Sequence, residues 1–205
     1  MRFTPPKFIK RIFPDLIWNF SDKTDGKKIY LTFDDGPTPA ITPWVLDCLA
    51  ASGAKATFFC LAKNVEQHPE IFQMILDAGH AVGNHSYSHQ KGWEMPTGRY
   101  IEDIDLADTL IKSNLVRPPY GRVKPRQARR LSERYHIIMW DVLSRDYSRY
   151  CSAKHCLENV VNNSRNGSIV VFHDSAKAFH NLHRVLPIAL KKLSDMGFTF
   201  EKIEL

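Results

Sequence analysis

Long apolar runs are missing from this 205-residue chain. No stretch approaches the ~20 residues of a membrane-spanning helix. The opening segment, MRFTPPKFIKRIFPDLIWNF, is broken by charge too often to hold the apolar core of a signal peptide. These absences favour a cytoplasmic protein, or one at the cytoplasmic membrane surface. Cysteine is sparse: Cys48, Cys60, Cys151 and Cys156 form no CxxC pair. Cys48 and Cys60 lie in apolar segments and read as small buried hydrophobes. Cys151 and Cys156 can pair only if geometry allows, and nothing demands an oxidising compartment. A dense basic stripe is also lacking, although net charge is +6 and the pI is about 9.1, because 22 acidic residues are interspersed. That speaks against a nucleic-acid partner. The densest basic cluster, RVKPRQARR at 122–130, reads as a solvated helix face or as an anion-attracting lip near a site. No internal repeat, low-complexity tract or second-domain linker is evident. The chain therefore divides into a basic, aromatic arm over 1–26 and one domain over 27–205.

What is present is regular alternation. Strands are expected at 29–33, 56–60, 80–84, 115–117, 137–142, 168–172 and 198–203. Helices are expected between them: one capped by Thr42 and stopped by Gly53, one over 69–79, then 99–112, 125–134, 153–164 and 181–195. Strict alternation implies a parallel sheet covered by helices. A complete eight-unit barrel needs ~250 residues. Seven units in this length predict an α/β fold with a distorted or incomplete (β/α)7 barrel of parallel strands, with an open doubly wound sheet as the competitor. In the arm, Phe8, Ile9, Ile12, Phe13, Leu16 and Ile17 recur with helical spacing around Pro14. The arm is expected to pack over the domain or, alternatively, to make peripheral membrane contact through residues 1–20.

The polar residues that need explaining fall after strands. Asp34 and Asp35 follow the first, His85 and His89 the third, Arg117 and Tyr120 the fourth, Asp146 the fifth, and His173 with Asp174 the sixth. In parallel α/β folds this carboxyl-end rim is where catalytic groups collect. Two adjacent carboxylates repel, so burying them requires something that offsets the charge. His85 and His89 are four apart, and a helical turn would put both imidazoles on one face. Two histidines with one carboxylate form a common metal set with open positions. A divalent cation between Asp35 and the histidines offsets the repulsion and leaves Asp34 free beside it. Amide hydrolysis needs a metal-activated water, a base to take its proton, a held oxyanion and an acid for the leaving amine. Asp34 suits the base and His173 the acid, with Asp174 or Asp146 holding that imidazole charged. A non-haem iron oxygenase also uses two histidines and a carboxylate, but needs neither the second Asp, the Arg nor the distal His.

TFDDG at 32–36, HSYSH at 85–89, RPPYG at 117–121 and VFHD at 171–174 together resemble the ordered motifs of the NodB-homology polysaccharide deacetylases, the fourth carbohydrate esterase family. The resemblance spans roughly 28–204. It implies a distorted barrel and metal-dependent removal of N-acetyl groups from an amino sugar in a polysaccharide, oligosaccharide or saccharide precursor. By motif position, Asp34 would be the base, and Asp35, His85 and His89 would hold one divalent transition metal. Zinc is favoured, with cobalt, manganese or nickel as alternatives. Arg117 would orient the base, the Pro119–Tyr120 pair would supply the oxyanion position through the Tyr120 N–H, and His173 would be the acid. The family's Asp-x-x-Asp-Trp motif reads LSRDY at 143–147. Asp146 is kept, while Leu143 and Tyr147 replace the outer residues. Trp93 is either a sugar-stacking platform or a loop aromatic packed on the domain. A non-catalytic carbohydrate-binding descendant, or a hydrolase of another carbon–nitrogen bond, remains the alternative function.

Overall fold

The strand carrying the paired carboxylates lies near the middle of a curled parallel sheet in the computed structural model, which describes residues 11–21 and 25–205. Nine strands are present among the described residues: β1 Leu16–Ile17, β2 Lys28–Asp34, β3 Ala56–Cys60, β4 Ala81–Asn84, β5 Leu115–Val116, β6 His136–Ile138, β7 Val142–Leu143, β8 Ser168–His173 and β9 Thr199–Phe200. The helices are α1 Ile41–Ala51, α2 Ala62–Gln67, α3 Pro69–Asp77, α4 Thr97–Ile111, α5 Pro125–Ser132, α6 Ala153–Val161 and α7 Phe179–Asp195. The sheet order is β1-β6-β5-β4-β3-β2-β8-β7, with β9 pairing β2, and every strand ladder is parallel. This is the expected α/β distorted barrel, with two strands more than the seven expected.

Both extra strands arise at the seam. The stretch expected as one strand over 137–142 divides, because its two ends pair on opposite sides of the curl. β6 joins β5 and β1, whereas β7 joins β8. Between them the Met139 N–H donates to the Ile17 carbonyl and the Asp141 N–H to the Ile169 carbonyl. The second is β1, within the arm. The helical spacing of the arm does not govern Leu16–Ile17, which register against Ile137 and Ile138. Asn19 then bridges Ser168, and the Phe20 N–H donates to the Gly167 carbonyl at 2.7 Å. Gly167 (φ 76°) is required there, since a Cβ would meet the Ser21 nitrogen at 2.3 Å. Leu16 and Phe20 are thus buried in the domain. Residues 1–10, the rest of the segment considered for membrane contact, lie outside the described residues. No helix among the described residues is long and apolar enough to cross a membrane.

Strand alternation sorts side chains to the two faces of the sheet. Ile29, Leu31 and Phe33 of β2 join Phe58, Val170 and Phe172 and pack against Val45, Leu49, Leu186 and Leu190 of the covering helices. The opposite face of the strands turns inside the curl, where Phe20, Phe59, Leu115, Ile138 and Ile169 form a small plug. Thr32 and Asp34 share that inner parity. Several local expectations are corrected. Thr42 does not cap α1, which starts at Ile41; instead its hydroxyl donates to Asp174. Helix α2, just ahead of Pro69, was unforeseen. The RVKPRQARR cluster divides by position: Arg126, Arg129 and Arg130 are exposed on or beside α5, while Arg122 reaches the cleft described next.

Candidate active site

Register assembles the rim. Asp34 lies opposite His173 across β2 and β8, Cys60 opposite Asn84, and Asn84 opposite Val116. The residues just beyond these positions therefore converge on a cleft of about 650 Å³ lined by Asp34, Asp35, His85, His89, Tyr120 and His173, among others.

The adjacent carboxylates point to different partners. Asp34 ends the strand, and its Oδ1 accepts from Arg117 Nη1 at 2.6 Å. Asp35 follows in the left-handed region (φ 80°), which an aspartate tolerates better than most residues and which turns its side chain the other way. Its Oδ1 lies 3.2 Å from His89 Nε2 and 3.7 Å from His85 Nε2. Gly36 makes the turn possible: its N–H donates to Asp174 Oδ1 at 3.0 Å, and a Cβ there would meet the same carboxylate at 2.0 Å. Asp174 is therefore a brace for this turn and not the partner of His173. Burial pushes its carboxyl up to about 7.

Arg117 is wholly buried. It stacks on Phe59, 4.0 Å from the ring centroid, and donates to Asp34, to the Thr32 hydroxyl at 2.7 Å, and to the carbonyls of Ile138 and Met139. A buried cation this fully bonded orients its carboxylate strongly, and removing either member leaves an unpaired buried charge. Leu143 lines the cleft, and every guanidinium nitrogen of Arg117 has a partner without any contribution from that position. On the far side, Asp146 Oδ1 lies 2.8 Å from His173 Nδ1, and its Oδ2 accepts the His173 N–H at 2.8 Å. Burial pushes the His173 imidazole down, but the Asp146 carboxylate outweighs it, and the pKa is raised to about 9. The Tyr147 ring stands edge-on to His173 at 4.9 Å between centroids.

The segment 85–89 is not the helical turn expected from its spacing. It is an irregular loop, left-handed at Ser86 and His89, that brings both imidazoles to Asp35 all the same. Asn84 Oδ1 accepts the Ser86 N–H, and Ser86 Oγ accepts the His89 N–H. From α4, Asp103 accepts the Ser88 hydroxyl at 2.6 Å and the N–H groups of Tyr87 and Ser88. Nothing local marks Asp103, because it lies on the following helix. His85 Nδ1–H donates to the Arg117 carbonyl at 2.8 Å, which leaves Nε2 as a lone pair facing the cleft. Burial pushes His85 down to about 4, so it is neutral at physiological pH. For Asp35, burial raises the pKa, yet the His89 contact and the positive charge of His173 hold it well below the usual carboxylate range.

These facts bear on a metal. Ligand atoms of Asp35, His85 and His89 all lie within 4.8 Å of one another. Asp35 Oδ1 is buried and accepts no hydrogen bond of good geometry. A carboxylate oxygen thus faces the Nε2 lone pair of a neutral imidazole with nothing donated between them. Two acceptors so placed fit a cation, and a two-histidine, one-carboxylate set suits a divalent transition ion with open positions.

The remaining expected residues are placed as follows. Pro119 is buried and precedes Tyr120, which is left-handed (φ 59°), half-exposed and packed on His89 at 4.7 Å between ring centroids. Trp93 does not itself line the cleft; it is 59% exposed, its Nε1–H donates to the Val123 carbonyl, and its ring lies beside the guanidinium of the cleft-lining Arg122. Trp140 and Lys177, neither singled out from sequence, do line the cleft.

Fold and rim define a parallel α/β-barrel protein in which Asp35, His85 and His89, a set that could hold a metal, lie beside an Arg-paired carboxylate and an Asp-paired histidine. A family model described as polysaccharide deacetylase matches residues 21–137, more than half of the chain, and the chain belongs to that family. It is 34% identical over 163 residues to a peptidoglycan-N-acetylglucosamine deacetylase of Bacillus cereus, covering 76% of this chain and 59% of the relative. It is 34% identical over 185 residues to the peptidoglycan-N-acetylglucosamine deacetylase PgdA of Listeria monocytogenes, covering 87% of this chain and 38% of the relative. The chain therefore spans less than two thirds of these relatives' own length. Among solved structures, the PdaC peptidoglycan deacetylase of Bacillus subtilis superposes with a TM-score of 0.77 at 30% identity, covering 87% of this chain and 89% of that one.

Proposed function

We propose that the chain hydrolyses the N-acetyl amide of an amino sugar within a glycan, releasing acetate and leaving a free amine. The observation that carries this reading is the juxtaposition, in one cleft, of the acceptor-only Asp35–His85 contact with the Arg117-bound Asp34 and the Asp146-bound His173. Asp35, His85 and His89 would hold one divalent ion, with zinc favoured. When bound, the ion supplies Lewis acidity, which makes water a better nucleophile near neutral pH and polarises an amide oxygen.

The chain's own groups do the rest. Asp34, held by Arg117, takes a proton from the attacking water. The Tyr120 N–H supports the negative charge that develops on the amide oxygen; donors of this kind contribute roughly 3 kcal/mol each. His173, kept protonated by Asp146, gives its proton to the departing nitrogen. One water is consumed: its hydroxyl becomes part of acetate and its proton stays with Asp34 until turnover ends. An iron oxygenase would leave Arg117, Asp34 and His173 without a task. The family resemblance to peptidoglycan deacetylases makes an N-acetylated cell-wall glycan the substrate class to try first.

The test is acetate release by zinc-loaded protein from N-acetylated glycans and acetylated peptides. Acetate from the glycans, abolished in Asp34→Asn, is the expected result. No acetate from any N-acetyl sugar by protein carrying one zinc per chain would overturn the reading.

A further inference from the structure

Beside the cleft lies a second depression of about 620 Å³, lined by Tyr147, Ser148, Arg149, Tyr150, Lys177 and His180. Tyr147 and Lys177 line both spaces, so the two adjoin. The chemistry of this groove differs from that of the cleft. It contains two tyrosine rings, of which Tyr150 is 83% exposed. It also contains two full cations, Arg149 and Lys177, and no acidic residue. Lys177 Nζ lies 5.5 Å from the Tyr147 ring centroid, and Arg149 lies over the Tyr150 ring and donates to its hydroxyl at 2.8 Å. Neither cation makes an ion pair with any described residue. His180 Nδ1–H donates to the Lys177 carbonyl, so its Nε2 is unused. The same sign recurs in Lys63 and Arg122 of the cleft, and among the described residues the only acids lining either space are Asp34 and Asp35, which the proposed mechanism employs.

A rim that gathers unpaired cations beside flat aromatic rings matches a sugar chain bearing negative charge: rings stack on pyranose faces and cations meet the anion. We infer that the Tyr147–Tyr150 groove is a substrate subsite that seats an anionic group, carboxylate or phosphate, carried by the glycan next to the sugar being deacetylated. The substrate is then an anionic glycan and not a neutral homopolymer of N-acetyl sugars. This rests on the deacetylase reading for its catalytic readout, and on binding for an independent one.

The experiment compares three N-acetylated oligosaccharides of equal length: one neutral, one with a carboxylate on the neighbouring sugar, and one with a phosphate there. Each is measured by acetate release with zinc-loaded protein and by calorimetric binding to Asp34→Asn protein. The wild type is expected to favour an anionic oligosaccharide roughly tenfold in KM, since a few exposed charge pairs supply about that much. The preference should shrink in ~0.5 M salt. Whichever anion is favoured identifies the source of the charge. Arg149→Gln, at a residue that lines the groove and not the cleft, should lose most of the preference in both KM and binding while its kcat, and its kinetics on the neutral oligosaccharide, stay within about twofold. Equal treatment of all three by wild type, or an Arg149→Gln variant that weakens neutral and anionic substrates alike, overturns the subsite. Anion-selective binding without any acetate release would sink the deacetylase reading and leave the groove standing.

Discussion

Two histidines on the same rim are driven to opposite sides of neutrality. His85 is pushed down to about 4 and His173 up to about 9. Both are sheltered from water, so desolvation alone would make both neutral. The difference is what each Nδ1 meets. For His85 it is a backbone carbonyl, which fixes the tautomer without adding charge. For His173 it is the buried Asp146 carboxylate, which stabilises the imidazolium. The cleft consequently has two halves. In the proton-handling half every charge is paired within the chain: Asp34 with Arg117 and His173 with Asp146. In the other half a neutral imidazole and a carboxylate oxygen face each other, an arrangement that could hold a cation from outside.

The largest effect should separate the halves at the two adjacent aspartates. Asp34→Asn keeps an oxygen for Arg117, so zinc content should be unchanged while turnover falls by roughly two to four orders of magnitude. Asp35→Asn should instead purify with little zinc. An Asp34→Asn protein that lost its metal, by atomic absorption on the same preparation, would make Asp34 a ligand and erase the distinction.

Next in size is the contribution of the ion to stability. Free zinc at a thousand times its Kd should stabilise the wild type by about 4 kcal/mol. The His85→Ala, His89→Ala double variant should gain nothing, and Asp146→Asn should gain as much as wild type. Calorimetric unfolding with and without zinc decides this. A full gain in the double variant would show that the ion binds elsewhere.

A pH experiment on metal-free protein sharpens the contrast between the histidines. The folded pKa of His173 is raised, so its contribution is fully present below the unfolded value of ~6.5 and is lost as pH rises through about 9. The magnitude is on the order of 3 kcal/mol. His85 has the opposite sign: its folded pKa is lowered, so stability is lost as pH falls from ~6.5 through about 4. Asp146→Asn should flatten the alkaline slope and leave the acidic one. NMR titration of the two rings checks the assignment, and a His173 titrating near 6.5 would show that Asp146 does not set its charge.

The smallest effect concerns the loop that carries the paired histidines. Asp103→Ala removes the acceptor for Ser88 Oγ and two loop N–H groups. Zinc affinity should weaken roughly tenfold, as for other residues that orient ligands. Unfolding free energy should change by only about 1 kcal/mol. Unchanged zinc affinity by competition with a chelator would show that the loop holds its shape without this brace.

Much of this was legible in the sequence. Strand and helix alternation marked the parallel sheet, because periodicity is a local record of which face is buried. The polar residues at the strand ends marked the rim, because a parallel sheet brings all those ends to one side. Asp34, Asp35, His85, His89, Arg117 and His173 converge there for that reason. Other features depended on pairings between residues far apart in the chain. Asp174, adjacent to His173, was as good a candidate partner as Asp146, and only the placement of the chain after β7 puts the Asp146 carboxylate on Nδ1. The His85–His89 spacing is compatible with a helix, but hydrogen bonds from Asn84, Ser86 and Asp103 hold a loop instead. The arm's apolar residues carry helical spacing, yet Leu16 and Ile17 become a strand because the open seam between β6 and β8 offers unpaired backbone groups. Sequence by itself determined which chemistry could occur, since that depends on residue type and strand parity. Tertiary structure decided which charge meets which, since a hydrogen bond spans about 3 Å and only register and seam closure place two atoms that near.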